Sequence, residues 1–207
     1  MTAESLPFSQ SCENNKDYIL GVLQQEFADR QSVLEIASGT GQHACHFAAH
    51  MPWLQWQPTE LADTLPLLQP RCSRYPGGNL LSPIALDVRD PVWPVAIPDA
   101  LFSANSLHIM AFSAVEQLFA GLGRQAGGDV LLAVYGPFNY GGQYTSASNA
   151  SFDQWLARQN PDSAIRDFEE VNRLAAGVGF VLRGDHPMPA NNRLLLWHKG
   201  PQTGAKH

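Results

Sequence analysis

Val33-Leu34-Glu35-Ile36-Ala37-Ser38-Gly39-Thr40-Gly41-Gln42-His43-Ala44 is the stretch from which the fold is read. Ser32–Ala37 is a short apolar run and reads as a buried strand. It runs into a glycine turn, and a helix opens at once, with Ala44, Phe47, Ala48 and Met51 at helical spacing. Glycines at such a bend allow a tight strand-to-helix turn and let backbone N–H groups approach a ligand. Gly39-x-Gly41 is a brief signal in isolation. Its place after the first buried strand and before a helix is what gives it meaning.

Working outward, strands and helices alternate. Trp53–Thr59 is the second strand, broken after Pro58, and Ala62–Tyr75 is a helix carrying Pro66 and Pro70. Ser82–Leu86 and Ala100–Ala104 are the third and fourth strands. Ser113 and Glu116 have capping-box spacing ahead of one apolar face, Val115, Leu118, Phe119 and Leu122. Asp129–Tyr135 is the fifth and most apolar strand, and a loop runs from Gly136 to Ala150. One helix then carries Phe152, Trp155 and Leu156; another opens at Asp167 and carries Phe168, Val171, Leu174 and Val178. Phe180–Gly184 and Arg193–Lys199 are closing strands joined without a helix, so they form an antiparallel pair. Ahead of everything, Asn15–Asp29 reads as an extra helix with Ile19, Leu20, Leu23 and Phe27 inward. This predicts one α/β domain over 1–207: a Rossmann-like, doubly wound seven-stranded sheet with its last strand antiparallel, an N-terminal helix or lid at 13–30, and a loose tail at 201–207.

Three carboxylates fall at matching places. Glu35 lies inside the first strand, Glu60 ends the second, and Asp87 ends the third. Open parallel sheets bind ligands at the carboxyl ends of their strands. Glu60 can accept from both hydroxyls of a ribose, and Asp87 from an adenine amino group. Glu35, in the middle of a buried run, needs either a partner or a functional reason.

VLEIASGTGQHA resembles the first motif of class I S-adenosylmethionine-dependent methyltransferases, with Ala37 where the first glycine is common and His43 where the third is. ENNKDYIL, LEIASGTGQHA, WQPTE, NSLHIM, YGPFNYGG, TSASNASFDQWL, IRDFEEVNRLA and MPANNRLLLWHKG are similar to a small methyltransferase-like family, formerly a domain of unknown function, that includes the methyltransferase-like protein 26 group. The resemblance spans about 13 to 200. It implies the class I methyltransferase fold and S-adenosyl-L-methionine as cofactor, and leaves the substrate open. The cofactor residues expected are Glu35, Gly39, Thr40, Gly41, Glu60, Asp87, Asn105 and Asn15.

A site lined by Glu35, Glu60 and Asp87 suits a sulfonium cation with a ribose and would repel the phosphates of a dinucleotide. Gly39-x-Gly41-x-x-Ala44 nonetheless satisfies the looser dinucleotide pattern, which keeps a nicotinamide-dependent reading open. A catalytically silent cofactor-binding protein working through a partner is the other alternative. On the acceptor side, Asn105-Ser106-Leu107-His108 follows the fourth strand, where class I methyltransferases face their substrates. His108 is the candidate general base, and Tyr135 the second candidate catalytic residue. Asn139 and Tyr140 are placed to wall the acceptor pocket, and Asn191 sits in the Pro187–Asn192 turn between the closing strands. Asn14, Asn15 and Lys16 head the first helix, where they are placed to fold over the cofactor as a lid.

Composition narrows the classes. The chain has 207 residues, 44% hydrophobic and 15% charged, and a formal charge of −6. That is a folded composition and a poor coat for a phosphate backbone, so a small-molecule acceptor is expected and nucleic acid is not. Cys12, Cys45 and Cys72 suggest no disulfide framework. His43, Cys45 and His46 do not share a helix face, so no metal is expected. Neither a signal peptide nor a membrane-spanning run is read, and the expected compartment is the cytoplasm. Nothing in the sequence sets the oligomeric state.

Overall fold

The structure, a computed structural model, describes residues 5–201. The expected tail therefore lies, apart from Pro201, outside the described residues. The fold is mixed α/β with an open, mostly parallel sheet, and among the described residues the strands number eight where seven are expected. The chain divides into two compact units, one through Asp87 and one from Val88.

The first unit runs α1 (Gln10–Glu26), β1 (Ser32–Ile36), α2 (Gln42–His50), β2 (Gln55–Glu60), α3 (Leu65–Cys72) and β3 (Ile84–Ala85). β1 and β3 both pair parallel with β2. The expected apolar stripe of α1 is buried at Ile19, Leu20, Leu23 and Phe27, as are Ala44, Phe47, Ala48 and Met51 around α2. α1 starts earlier than the expected 13–30 because Ser9 caps it, its hydroxyl accepting from Cys12 N at 3.4 Å. β2 is not broken at Pro58, which pairs with Glu35. Thr59 O faces β1, while the Trp56 N–H and the Glu60 carbonyl face the other side. Residue 58 shares that second side by alternation, and no ladder reaches it there, so its missing donor costs nothing. α3 is shorter than expected: Pro66 falls in its first turn, where no N–H is needed. β3 keeps only two residues of the expected five.

The second unit runs β4 (Ala100–Ala104), α4 (Phe112–Gln125), β5 (Val130–Asn139), α5 (Ala147–Gln159), β6 (Arg166–Asp167), α6 (Phe168–Gly177), β7 (Val181–Met188) and β8 (Asn192–Lys199). β4 and β6 lie parallel to β5; β8 lies antiparallel to both β5 and β7, the closing hairpin expected. A single 3-10 turn, Pro189–Asn191, joins β7 to β8.

Ser113 does not cap α4; the helix begins at Phe112 behind Ala111, and Ser113 lies within its first turn. β5 continues to Asn139, so Tyr135 and Asn139 stand in the strand rather than in the loop after it. Val130–Phe138 are all buried, and the β8 partners reach as far as Pro137, which holds this glycine- and proline-containing end extended. β6 is the extra strand. Its two residues, Arg166 and Asp167, are too few and too polar to read as one. Leu156 of α5 is buried, but Trp155 is 48% exposed. No helix among the described residues is long and apolar enough to cross a membrane.

Candidate functional site

In the first unit the turn after β1 passes three residues through left-handed backbone: Ala37 (φ 59°), Gly39 (φ 56°) and Gly41 (φ 75°). Two clamps fix it to β2. Ser38 N donates to Thr59 O at 2.8 Å, and Thr59 N donates to the Ser38 hydroxyl at 3.1 Å. Gly39 N donates to Glu60 Oε2 at 2.7 Å. Glu60 Oε1 accepts from Leu61 N at 2.9 Å and from the Thr64 hydroxyl at 3.2 Å. The carboxylate is thus held in one orientation against the turn, with lone pairs left over. A Cβ on Gly39 would meet nothing within 4 Å, so the turn is open at that point.

Glu35 is 1% exposed. Its Oε2 accepts from the Trp56 indole at 2.7 Å. Burial pushes its pKa up to about 7; hydrogen bonds from Trp56 and Ser38 oppose the rise, and the charge of Glu60 adds to it. The mid-strand acid thus has partners inside the unit. Asp87 lies two residues beyond β3 and is half-buried. Asn15 is 6% exposed, and its Oδ1 accepts from His43 Nε2 at 2.6 Å. His43 stacks on Phe47 with centroids 5.3 Å apart, and burial lowers its pKa to about 4. Of the expected lid residues, Asn15 is thus packed down, Asn14 is exposed, and Lys16 pairs with Glu13, whose Oε1 accepts from Gln42 Nε2 at 2.5 Å.

Two residues that sequence reading missed organise this end. Gln42 also donates to Ser9 O at 3.2 Å, and its Oε1 accepts from Ser9 N at 2.5 Å and from the Thr40 hydroxyl at 2.9 Å. Arg71 donates to Thr40 O at 2.9 Å and to Pro7 O at 2.5 Å. The only available signal was Gln42's position, as the first residue of the helix leaving the turn. A cleft of about 500 Å³ bordered by Gln69, Cys72, Leu80 and Pro83 is a separate feature, with none of the turn residues in its wall. Among the described residues no group of three or more His, Cys, Asp or Glu is arranged to hold a metal ion.

In the second unit Asn105 takes a left-handed conformation (φ 55°), and its N–H donates to Tyr135 O at 2.9 Å. His108 is 5% exposed and lies edge-on to Phe152, with ring centroids 5.6 Å apart. Its Nδ1 lies 3.4 Å from where a Cβ on Gly136 would stand, so that glycine makes room for the ring. Burial, with the charge of Arg166 second, lowers its pKa to about 4, leaving the imidazole neutral at pH 7. Arg166 holds the His108 segment in place by donating to Leu107 O (3.0 Å) and Met110 O (2.6 Å), and it also donates to Asp162 O (2.8 Å). Tyr135 is buried in β5. Asn139 ends that strand with its Oδ1 buried.

Tyr140 and Asn191 are engaged internally. The Tyr140 hydroxyl donates to Asp185 Oδ2 at 2.8 Å, and its ring stacks on Phe168 at 5.2 Å. Burial and Asp185 raise the phenol's pKa, so it stays protonated. Asn191, exposed and left-handed at φ 58°, accepts through its carbonyl from Asn149 Nδ2 and donates to the Ser148 hydroxyl, both at 3.3 Å.

The architecture is that of the methyltransferase-type α/β fold. The chain superposes on an O-methyltransferase family protein from Burkholderia thailandensis with a TM-score of 0.74 and 14% identity, over 90% of this chain and 59% of that one. Against human N-acetylserotonin methyltransferase, solved in complex with SAM, the TM-score is 0.78 at 12% identity, over 92% of this chain and 53% of the other. Against the S-adenosylmethionine-dependent methyltransferase SibL in its apo form the values are 0.76 and 16%, over 92% and 56%. The chain therefore spans little more than half the length of these proteins, and at such identities the likeness is one of fold. Residues 6–199 match the family described as a protein of unknown function, DUF938, and the chain belongs to that family.

Proposed function

We propose that this protein is an S-adenosylmethionine-dependent methyltransferase acting on a small-molecule acceptor, akin to the methyltransferase-like protein 26 group and working in the cytoplasm. The observation that carries the reading is the Glu60 carboxylate fixed by the Gly39 N–H at 2.7 Å on a turn whose face is open at Gly39. The arrangement fits such a cofactor in one respect that the turn provides directly: an oriented carboxylate that can accept from ribose hydroxyls. The methyltransferases that share the fold support the same reading.

Bound there, S-adenosylmethionine would supply an electrophilic methyl group. In the first unit Glu60 would orient the ribose, Gly39, Thr40 and Gly41 would supply backbone for the cofactor, and Glu35, Asp87 and Asn15 complete the set proposed there; Asn105 is the cofactor residue proposed in the second unit. In the second unit His108 is the proposed general base and Tyr135 its neighbour in role, with Asn139, Tyr140 and Asn191 for the acceptor. A neutral imidazole with a pKa near 4 can take a proton, but only from an acidic acceptor group. Acceptors that are already nucleophilic need only orientation and exclusion of water.

The burial of His108, and the internal bonds of Tyr140 and Asn191, favour the second reading, a cofactor-binding protein without transfer activity. Calorimetry with S-adenosylmethionine tests what the two share. Glu60→Ala should weaken binding by about 1–3 kcal/mol, roughly 5- to 150-fold. Undiminished affinity in that variant removes the site assignment, and tighter binding of a nicotinamide dinucleotide replaces the cofactor. Release of S-adenosylhomocysteine on incubation with metabolite extracts separates an active enzyme from a silent binder.

A further inference from the structure

Asn139 and Asp167 are the last residues of β5 and β6, and they are register partners in a parallel pair. Partners in neighbouring strands send their side chains to the same face, with backbones about 5 Å apart. The amide and the carboxylate therefore stand side by side at the carboxyl end of the strands, the end where open α/β sheets receive ligands. Each has its Oδ1 buried without a hydrogen-bond partner among the described residues. Each residue is only half-buried as a whole, so part of each reaches the surface while the two Oδ1 atoms lie beneath it.

Buried acceptors are costly to leave unpaired. Helix capping does not occupy Asp167: it stands at the N-cap of α6, where aspartate normally accepts from a helix N–H, and it makes no cap bond. The cations beside it in the sequence and sheet are engaged elsewhere. Arg166 donates to the carbonyls of Leu107, Met110 and Asp162, and Arg193 pairs with Asp185 at 2.6 Å. The nearby acids are bonded too: Glu169 accepts from Gly141 N at 3.0 Å, and Asp153 accepts from the Tyr144 hydroxyl at 2.7 Å.

A group that satisfies both oxygens must donate at least two hydrogens, and beside a carboxylate it is favoured if it is cationic. We propose that Asn139 and Asp167 form a subsite for a protonated amine carried by the methyl acceptor. A hydroxyl offers a single donor and no charge. This makes Asp167 a recognition residue that the sequence did not single out as one. The inference rests on reading the second unit as the acceptor side.

The test uses the full-length protein and pairs of probes differing only in this group: phenethylamine against 2-phenylethanol, and hexylamine against hexanol, followed by calorimetry and thermal shift. The amines should bind saturably and the alcohols should not. Asp167→Asn should weaken amine binding at least tenfold. Asn139→Leu should weaken it while leaving the ligand-free Tm unchanged or higher, since it removes an unpaired acceptor. If Asp167→Asn fails to fold, Asn139→Leu decides alone. Equal responses to amine and alcohol, or none to either, overturn the subsite, as does unchanged amine affinity in both variants. S-adenosylmethionine binding, titrated in the same samples, should persist in both variants. Its absence from the wild type would strike the methyltransferase reading, while the paired probes would still decide the subsite.

Discussion

Ala37, Gly39 and Gly41 share left-handed backbone but differ in what a side chain would meet. At Gly41 a Cβ would come within 2.7 Å of Leu68 Cδ1, whereas at Gly39 it meets open space. Gly41→Ala should therefore destabilise more than Gly39→Ala: the first pays conformational strain and a clash, the second only the strain of about 1–2 kcal/mol. Ala37 already carries that strain. Ala37→Gly should leave stability unchanged or raise it, while glycine at Ala44, fully buried in α2, should cost about 1 kcal/mol or more. Urea denaturation of the four variants checks the order. An equal loss at 39 and 41 would mean that the turn does not press on α3.

At the scale of elements, α1 is tied to the turn by one side chain. Gln42 joins Ser9, Glu13 and Thr40, with Arg71 adding a second tie from α3 to Pro7. Gln42→Ala should leave Ser9 and Glu13 without these partners and cost about 2–3 kcal/mol. Hydrogen exchange should speed up over residues 9–13 well before it changes in β1, because the loss is local. Exchange that rises uniformly across the first unit would show instead that Gln42 supports the whole unit. Arg166 plays a comparable part for Leu107–Met110, donating to the carbonyls of Leu107 and Met110 and also to that of Asp162.

For the molecule as a whole, three buried titrating groups shape stability against pH. Glu35 has its pKa raised from 4.5 to about 7, so its stabilisation is complete below pH 4.5 and is lost as pH rises to 7. His43 and His108 have theirs lowered from 6.5 to about 4, so their stabilisation is present above pH 6.5 and is lost as pH falls toward 4. His46, lowered by burial, acts in the same direction as these two. Between about pH 4.5 and 6.5 the histidines outnumber the one carboxyl, so stability climbs with pH by about 1.4 kcal/mol per unit or more. From 6.5 to 7 Glu35 acts alone and stability falls slightly, giving a maximum near pH 6.5. Glu35→Gln should steepen the climb and abolish the fall. Denaturation from pH 5 to 8 measures both, and a wild-type maximum at pH 5 would contradict the assignment.

Whatever depends on local period and local chemistry was legible in the order of the residues alone. The buried strand, the glycine turn and the amphipathic helix need only neighbours within a few residues. So do the inward stripe of α1 and the bounds of β4. The closing antiparallel pair followed from a connection with no helix in it. The acids Glu35 and Glu60 could be found in the same way, because one interrupts an apolar run and the other ends a strand. Tertiary structure alone decided what depends on partners far along the chain. Trp56 reaches Glu35 from 21 residues away, and Gln42 reaches back 33 residues to Ser9. Pro58 remains in a strand because the unpaired side of β2 faces no ladder at that point. β5 extends to Asn139 because β8 and β6 pair with its polar, turn-like end, and β6 exists only as a partner to it. A two-residue strand has no period to read, and a buried oxygen shows its lack of a partner only once the chain around it is folded.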